Sequence, residues 1–384
     1  MCERPRAIVV HISFSLTPIL IYWWHRDTHG YCMKLNQVVH GDMMDVVKKL
    51  DDGVAQSVIV DPPYNIGKDF GNDSDKQQMD DYLKWCDEWM NECYRILADD
   101  GTMFVYGFSE ILALILARVP HHINRRWIIW HYTNKNAAHL NFWQRSHESI
   151  LVLWKKDKVF NRDLVREPYT DTFLNNAAGK KRVGTPSRFG SGKETVYNAH
   201  KNGALPRDVI KIPALAGGAG SVERVFYCKT CDCLKKGSKE KKPCVAEKHD
   251  LIIHPTQKPM ELSVKLLESC KQEDGLVFVP FAGTGSECLA ALQLGLSFVA
   301  ADLNEDYVKL TRARLDDWKQ NGEKVNSRKS KSAAKSIKDN NKHPTLGSFE
   351  DFSKLTVKEL KRRLKEAGKP VSGTKTTLIA RLTE

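Results

Sequence analysis

Between Leu276 and Asp302 the chain strings together an apolar run (Leu276–Val279), a turn with two glycines (Phe281-Ala282-Gly283-Thr284-Gly285-Ser286), a helical run (Glu287–Leu294) and a second apolar run (Ser297–Ala301) closed by Asp302. No other feature constrains the fold as much. Two short strands separated by one helix pair in parallel through a right-handed crossover. The same alternation occurs upstream. Asp45–Leu50 reads as a short helix, Ser57–Val60 as a strand ending at Asp61, and Met79–Leu97 as a helix with Tyr82, Trp85, Trp89, Cys93 and Ile96 on one face. Asp99, Asp100 and Gly101 should end that helix, with strands following at Met103–Tyr106, Trp127–Trp130 and Ser149–Trp154. The expected fold is α/β, a mostly parallel sheet covered on both faces.

The pattern weakens from about Lys155 to Asp250, a stretch rich in Lys, Arg, Gly, Asn and Thr with scattered aromatics. It returns with helices over Met260–Cys270 and Asp306–Gln320. Residues 319–347, poor in apolar residues and rich in Lys, Ser and Asn, predict a flexible basic linker, and residues 348–384 a pair of short helices. At the other end, Ala7–Trp24 is apolar but broken by His11, Thr17 and Pro18, too short for a membrane span and without a small-x-small cleavage site. The recognisable pattern starts at Met33, so residues 1–32 form an extension with no assigned function. Cys86, Cys93, Cys270 and Cys288 fall in helical or apolar patterns, as reduced buried thiols do. The net charge of +12 suits either a polyanionic partner or a generally basic surface.

Asp61-Pro62-Pro63-Tyr64 follows an apolar strand directly. Two prolines there could simply make a rigid turn. They also fix a carboxylate and an aromatic at the strand's C-terminal end, the edge at which doubly wound sheets bind ligands. Asp61 and the Pro62 carbonyl could accept the two hydrogens of an exocyclic amine whose lone pair is delocalised into a ring, and Tyr64 could stack on that ring. The glycine turn before Glu287 lets backbone approach a nucleotide-type ligand, and Asp302 could bind ribose hydroxyls. The spacing is GxG and not GxGxxG, which disfavours a dinucleotide.

In this order the motifs resemble the beta-class amino-methyltransferases that act on DNA, over Lys34 to about Trp318. His40-Gly41-Asp42 resembles the segment whose acid holds the cofactor adenine. Asp61-Pro62-Pro63-Tyr64-Asn65 resembles the catalytic motif in its Asp-first form. His254-Pro255-Thr256-Gln257-Lys258-Pro259 resembles the segment around the methionine end of the cofactor. Phe281 to Gly285 and Asp302 resemble the cofactor loop and ribose acid, with Pro280 standing where relatives often carry an acid. The resemblance implies a Rossmann-like S-adenosylmethionine-dependent methyltransferase fold, S-adenosyl-L-methionine as cofactor, and methyl transfer to N6 of adenine after base flipping. Asp61, Pro62, Pro63 and Tyr64 would be catalytic, and Asp42, His254, Thr256, Lys258, Phe281, Ala282, Gly283, Thr284, Gly285 and Asp302 would bind the cofactor. Cytosine N4 is the close alternative, since Asp usually marks adenine enzymes and Ser cytosine ones. A catalytically idle DNA-binding protein on the same fold is a second. RNA or protein amides are disfavoured, because motifs for those substrates usually begin with Asn and follow the cofactor motif.

The resemblance divides the body into a catalytic half (33–154), a target-recognition region (155–250) and a cofactor half (251–318). In the middle region Lys180, Lys181, Arg182, Arg188 and Lys193 suit DNA contact. Trp130, Tyr132, Phe142 and Trp143 would line a flipped-base pocket or pack in the core. Cys228 and Cys231 have zinc-knuckle spacing and could be completed by Cys244 and His249. Cys233 would be surplus and relatives hold no metal there, so zinc is the weaker reading. The C-terminal stretch resembles a SAP domain through its leucines, Gly368 and the Ser372-Gly373-Thr374-Lys375 turn, with Arg362, Arg363, Thr374 and Lys375 suited to backbone phosphates. Double-stranded DNA is thus the implied partner, with no membrane, and a homodimer or a cognate restriction endonuclease would be compatible. The chain is expected with its DNA: in a nucleus or viral replication site if the source is eukaryotic or viral, otherwise in the cytoplasm.

Overall fold

The computed structural model describes residues 24–26, 32–70, 75–134, 141–184, 186, 192–215, 223–237, 250–340, 356–366, 370–372 and 374–383. A short antiparallel ribbon comes first, β1 (Trp24–Arg26) with β2 (Cys32–Lys34). Then follow β3 (Gln37–His40), α1 (Met43–Val47), β4 (Ala55–Val60), α2 (Met79–Ile96), β5 (Leu97–Gly107), α3 (Ser109–Arg118), β6 (Asn124–His131) and β7 (His147–Trp154). The middle region adds α4 (Asp171–Asn176), β8 (Lys181–Val183), β9 (Glu194–Val196), β10 (Val209–Lys211), β11 (Val225–Cys228), β12 (Cys233–Lys236) and β13 (Leu251–Ile252). The remainder is α5 (Met260–Cys270), β14 (Leu276–Val279), α6 (Ser286–Gln293), β15 (Ser297–Asp302), α7 (Glu305–Asn340), α8 (Val357–Glu366) and α9 (Lys375–Thr383). The chain divides between Gly322 and Glu323 into two units.

One sheet of eight strands, ordered β10-β6-β7-β5-β4-β14-β15-β3, organises the first unit. Only β7 runs against its neighbours, so the sheet is mostly parallel, as expected. Its strands are apolar on both faces because both are covered. Val58, Val60, Met103 and Val105 meet α1, α2 and α3, while Ile59, Phe104, Val277 and Val279 meet α5, α6 and α7. Trp89, at 0% exposure on α2, anchors the first layer. Burying a side chain of this kind contributes roughly 2–3 kcal/mol.

Two expectations are corrected. Helix α2 passes into β5 with no intervening loop, and Asp99-Asp100-Gly101 lies inside the strand. There the register with β4 shifts, and a Cβ on Gly101 would lie 2.9 Å from the Gln56 carbonyl, so glycine permits a close strand approach and does not end the helix. The expected linker is helical as far as Asn340. Its sequence has neither Gly nor Pro between 323 and 340, and low apolar content removes a reason to bury a helix, not the ability to form one. Residues 341–347 lie outside the described residues.

The middle region packs onto the main body at two places. Strand β10 extends the main sheet beside β6, and the β12-β11-β13 sheet sets Val225 and Ile252 against Tyr307 and Leu310 of α7. Strands of two to four residues are too short to show a period, which is why the sequence reads as irregular there. In the second unit, α8 and α9 share a core of Leu360, Leu364 and Leu378, with Leu382 packed against it.

Candidate active site

The C-terminal ends of β3, β15, β14 and β4 share one edge of the sheet, and the loops beyond them line a pocket with about 1170 Å³ of empty space including its mouth. Asp42, Asp61, Tyr64, Phe281, Gly283 and Asp302 all line it, which unites motifs from both ends of the sequence.

Asp61 leaves β4 into the double proline. Its Oδ1 accepts the Tyr64 hydroxyl at 2.8 Å, and both its oxygens accept Lys258 Nζ, at 2.7 and 2.8 Å. Lys258 Nζ also donates to the Tyr64 hydroxyl at 3.1 Å and lies 3.7 Å from Glu148 of β7. Burial alone would depress the Lys258 ammonium, but Asp61 and Glu148 outweigh it and the net shift is upward. The Tyr64 phenol is raised well above its ordinary value by burial and then by the same two carboxylates. Tyr82 of α2 donates to the Pro63 carbonyl at 2.8 Å, which pins the turn. Asp75, fully buried, accepts the backbone N–H groups of Asn65, Ile66 and Lys68 and so shapes the loop after Tyr64. Sequence reading places Tyr82 on the apolar face of its helix but misses its bond to the turn, and it misses Asp75 and Glu148 altogether, because no motif marks them.

On the other side of the pocket the glycine turn adopts left-handed conformations, φ +51° at Gly283 and +73° at Gly285. A Cβ would meet His254 Nε2 at 3.0 Å in the first case and Thr311 Cγ2 at 2.4 Å in the second, so only glycine fits. The Thr284 carbonyl accepts buried Arg314, and Phe281 packs edge-on against Trp85 and Trp89. Asp302 accepts the N–H groups of Gly283 at 2.7 Å and Asn304 at 2.9 Å, and burial raises its carboxyl. Asp42 caps α1 through the Met44 N–H at 2.8 Å. His254 packs against Tyr307 and accepts the Thr256 N–H through Nδ1; burial, then Lys258 and Arg224, push its imidazole down to about 3. A glycine turn shaped for close approach, with acids at the adjacent strand ends and an aromatic wall, fits a nucleoside cofactor. Lys258, in the same segment and also lining the pocket, turns its ammonium to the Asp61 cluster.

The remaining candidates are dispersed. Trp130 and Tyr132 are buried, Tyr132 donating to Glu148 at 3.3 Å, whereas Phe142 and Trp143 are exposed. Lys180, Lys181, Arg182 and Lys193 lie on or beside the exposed β8–β9 hairpin, where Lys181 pairs with Glu194 across the strands at 3.0 Å. Arg188 lies outside the described residues. So do Cys244 and His249, leaving Cys228 buried and Cys231 partly exposed; no metal-binding cluster occurs among the described residues. In the second unit Arg362 and Arg363 both bond Glu359, and Thr374 caps α9 beside Lys375. Arg381, also missed, donates to the Pro370 and Ser372 carbonyls and braces that turn. No helix among the described residues is long and apolar enough to cross a membrane.

Comparison with known proteins agrees with this geometry. The DNA methylase family of N6/N4 methyltransferases matches residues 55–313, and the SAP domain matches residues 351–384. The type II methyltransferase M.HpaI of Haemophilus parainfluenzae is 26% identical over 285 residues, 73% of this chain and 74% of that protein. The DNA adenine methyltransferase YhdJ of Escherichia coli is 25% identical, over 73% and 82% respectively. Among solved structures, M1.HpyAVI in complex with SAM aligns with 72% of this chain and 98% of that one, at 17% identity and a TM-score of 0.41. The chain therefore belongs to the N6/N4 DNA methyltransferases and carries a C-terminal SAP domain.

Proposed function

We propose that the protein methylates N6 of adenine in double-stranded DNA. The observation that carries this reading is the carboxylate at the head of the catalytic motif: Asp61 lines the pocket with Tyr64 tied to it. An exocyclic amine conjugated to its ring is a weak nucleophile. Asp61 and the Pro62 carbonyl accept its two hydrogens, which favours a tetrahedral nitrogen with an available lone pair. Tyr64 offers a ring face to a base taken out of the stack. The similarity to YhdJ, itself named an adenine methyltransferase, supports the same base.

Bound S-adenosylmethionine supplies an electrophilic methyl group on a sulfonium. Gly283 and Gly285 with their loop, Asp42, Asp302, His254 and Thr256 are the residues that would hold it. Residues 155–250, through Lys180, Lys181, Arg182, Arg188 and Lys193, are proposed to read the target, and Arg362, Arg363, Thr374 and Lys375 to grip phosphates.

The test is nucleoside analysis after incubating the protein and labelled S-adenosylmethionine with unmethylated DNA, beside an Asp61→Ala control. Label in N6-methyladenine that vanishes in the control is the expected result. Label in N4-methylcytosine overturns the base, and DNA and cofactor binding with no labelled nucleoside overturns the catalytic reading.

A further inference from the structure

Lys258 spans the two halves of the site. Its backbone carbonyl accepts Ser286 Oγ at 2.8 Å at the start of α6, beside the glycine turn, while its side chain crosses to Asp61. The ammonium spends its three protons on both Asp61 oxygens and the Tyr64 hydroxyl. Glu148, 3.7 Å away, is its second carboxylate neighbour and accepts the Tyr132 hydroxyl at 3.3 Å. The Lys258 side chain is 4% exposed and that of Glu148 8%. One ammonium between two carboxylates leaves the cluster with a single net negative charge, which matches the positive charge that an amine acquires on alkylation.

We propose that Lys258 is a positioning residue for methyl transfer, fixing the Asp61 carboxylate toward the amine, with Glu148 as the second anion that holds the ammonium. The inference rests on the methyltransferase reading and deepens it. A charge fixed before reaction needs no rearrangement when the transition state forms. The titratable groups facing Lys258 are Asp61 and Tyr64 after β4, Tyr106 of β5, Glu148 of β7, Glu287 of α6, and His254 of its own segment. Without the ammonium, Asp61 and Glu148, which the Tyr64 hydroxyl approaches at 2.8 and 3.3 Å, lose the cation they share and are left to repel each other.

The experiment compares wild type with Lys258→Met, Lys258→Arg and the Lys258→Met/Glu148→Gln pair. Its readouts are S-adenosylmethionine affinity by calorimetry, the kcat–pH profile and melting temperature against pH. Lys258→Met should lower kcat about 10²-fold with cofactor affinity changed less than about threefold. Its acid limb should move up by about one pH unit or more, and the double variant should bring it back toward wild type. Lys258→Arg should recover part of kcat. Lys258→Met should also lose melting temperature relative to wild type as pH rises, because two carboxylates deprived of their shared cation repel most when both are ionised. A tenfold loss of cofactor affinity with kcat intact would make Lys258 a cofactor ligand and overturn the proposal. A fall in kcat with neither pH response altered would reduce Lys258 to packing and overturn it as well. If wild type methylates no base, the functional reading fails, and the melting profiles still decide whether Lys258 balances the two carboxylates.

Discussion

The Asp61 cluster and the C-terminal helix pair hold their charges in opposite ways. Around Asp61, the side chains of Asp61, Glu148 and Lys258 are 16%, 8% and 4% exposed and come from segments up to 197 residues apart. In the second unit, Arg362 and Arg363 lean on Glu359 within one turn of α8, with side-chain exposures of 56%, 30% and 35%. Buried charges in a low dielectric interact strongly and depend on one another, whereas exposed pairs are screened and contribute about 0–1 kcal/mol. The first arrangement suits a reaction that needs fixed geometry. The second leaves arginines on the surface, where they can exchange Glu359 for another anion.

The contrast is sharpest when one buried partner is removed. Asp61→Ala leaves Lys258 with Glu148 as its nearest carboxylate and should destabilise the first unit by about 3–5 kcal/mol, read by denaturant unfolding. Restoring charge balance in Asp61→Ala/Lys258→Met should recover part of that loss. If the two single effects merely add, the cluster is not a coupled unit. Leu360→Ala tests the other side. Leu360 is fully buried among three leucines, so truncation should remove about 2–4 kcal/mol and melt the helix pair. DNA affinity should fall while kcat at saturating DNA stays within twofold; a large fall in kcat would tie the helix pair to the chemistry.

His254 gives the comparison a pH axis. Its imidazole is pushed down to about 3, first by burial. The folded protein therefore binds its proton far less readily than the unfolded chain. The stabilisation is complete above the unfolded value near 6.5 and is lost as pH falls toward 3, at up to about 1.4 kcal/mol per pH unit. His254→Gln should flatten the fall in stability between pH 6.5 and 4. An unchanged slope would mean that other groups set the acid limit.

What could be read in the sequence follows the same division. The strand–turn–helix alternation, Asp61 to Tyr64, the glycine turn and Asp302 are local patterns, and a local pattern is visible in a linear string. The roles of Glu148, Tyr82 and Arg314 are not, because each acts through a partner that only the fold brings near, and Asp75 organises the loop just before it with no motif to mark it. Lys258 was legible as part of a motif, yet its side chain turns to the opposite half of the site. Strand β10 failed for another reason: three residues, Val209–Lys211, cannot display a period. The helix beyond Gln320 failed because composition reports burial better than it reports backbone conformation.

The smallest effects belong to the β8–β9 hairpin. Lys181 pairs with Glu194 with both side chains more than half exposed, so Lys181→Ala should change stability by less than about 1 kcal/mol. Its proposed role is toward phosphate. Neutralising one phosphate contact should lower the slope of log affinity against log salt by about 0.9, alike for cognate and non-cognate duplexes. Lys181→Arg should preserve the slope, since charge and not hydrogen-bond geometry sets counterion release. If Lys181→Ala leaves the slope unchanged, the pair with Glu194 is only a cross-strand staple. If it instead discriminates between sequences, Lys181 reads a base edge, and the hairpin would then share with the Asp61 cluster a dependence on fixed geometry that its exposure argues against.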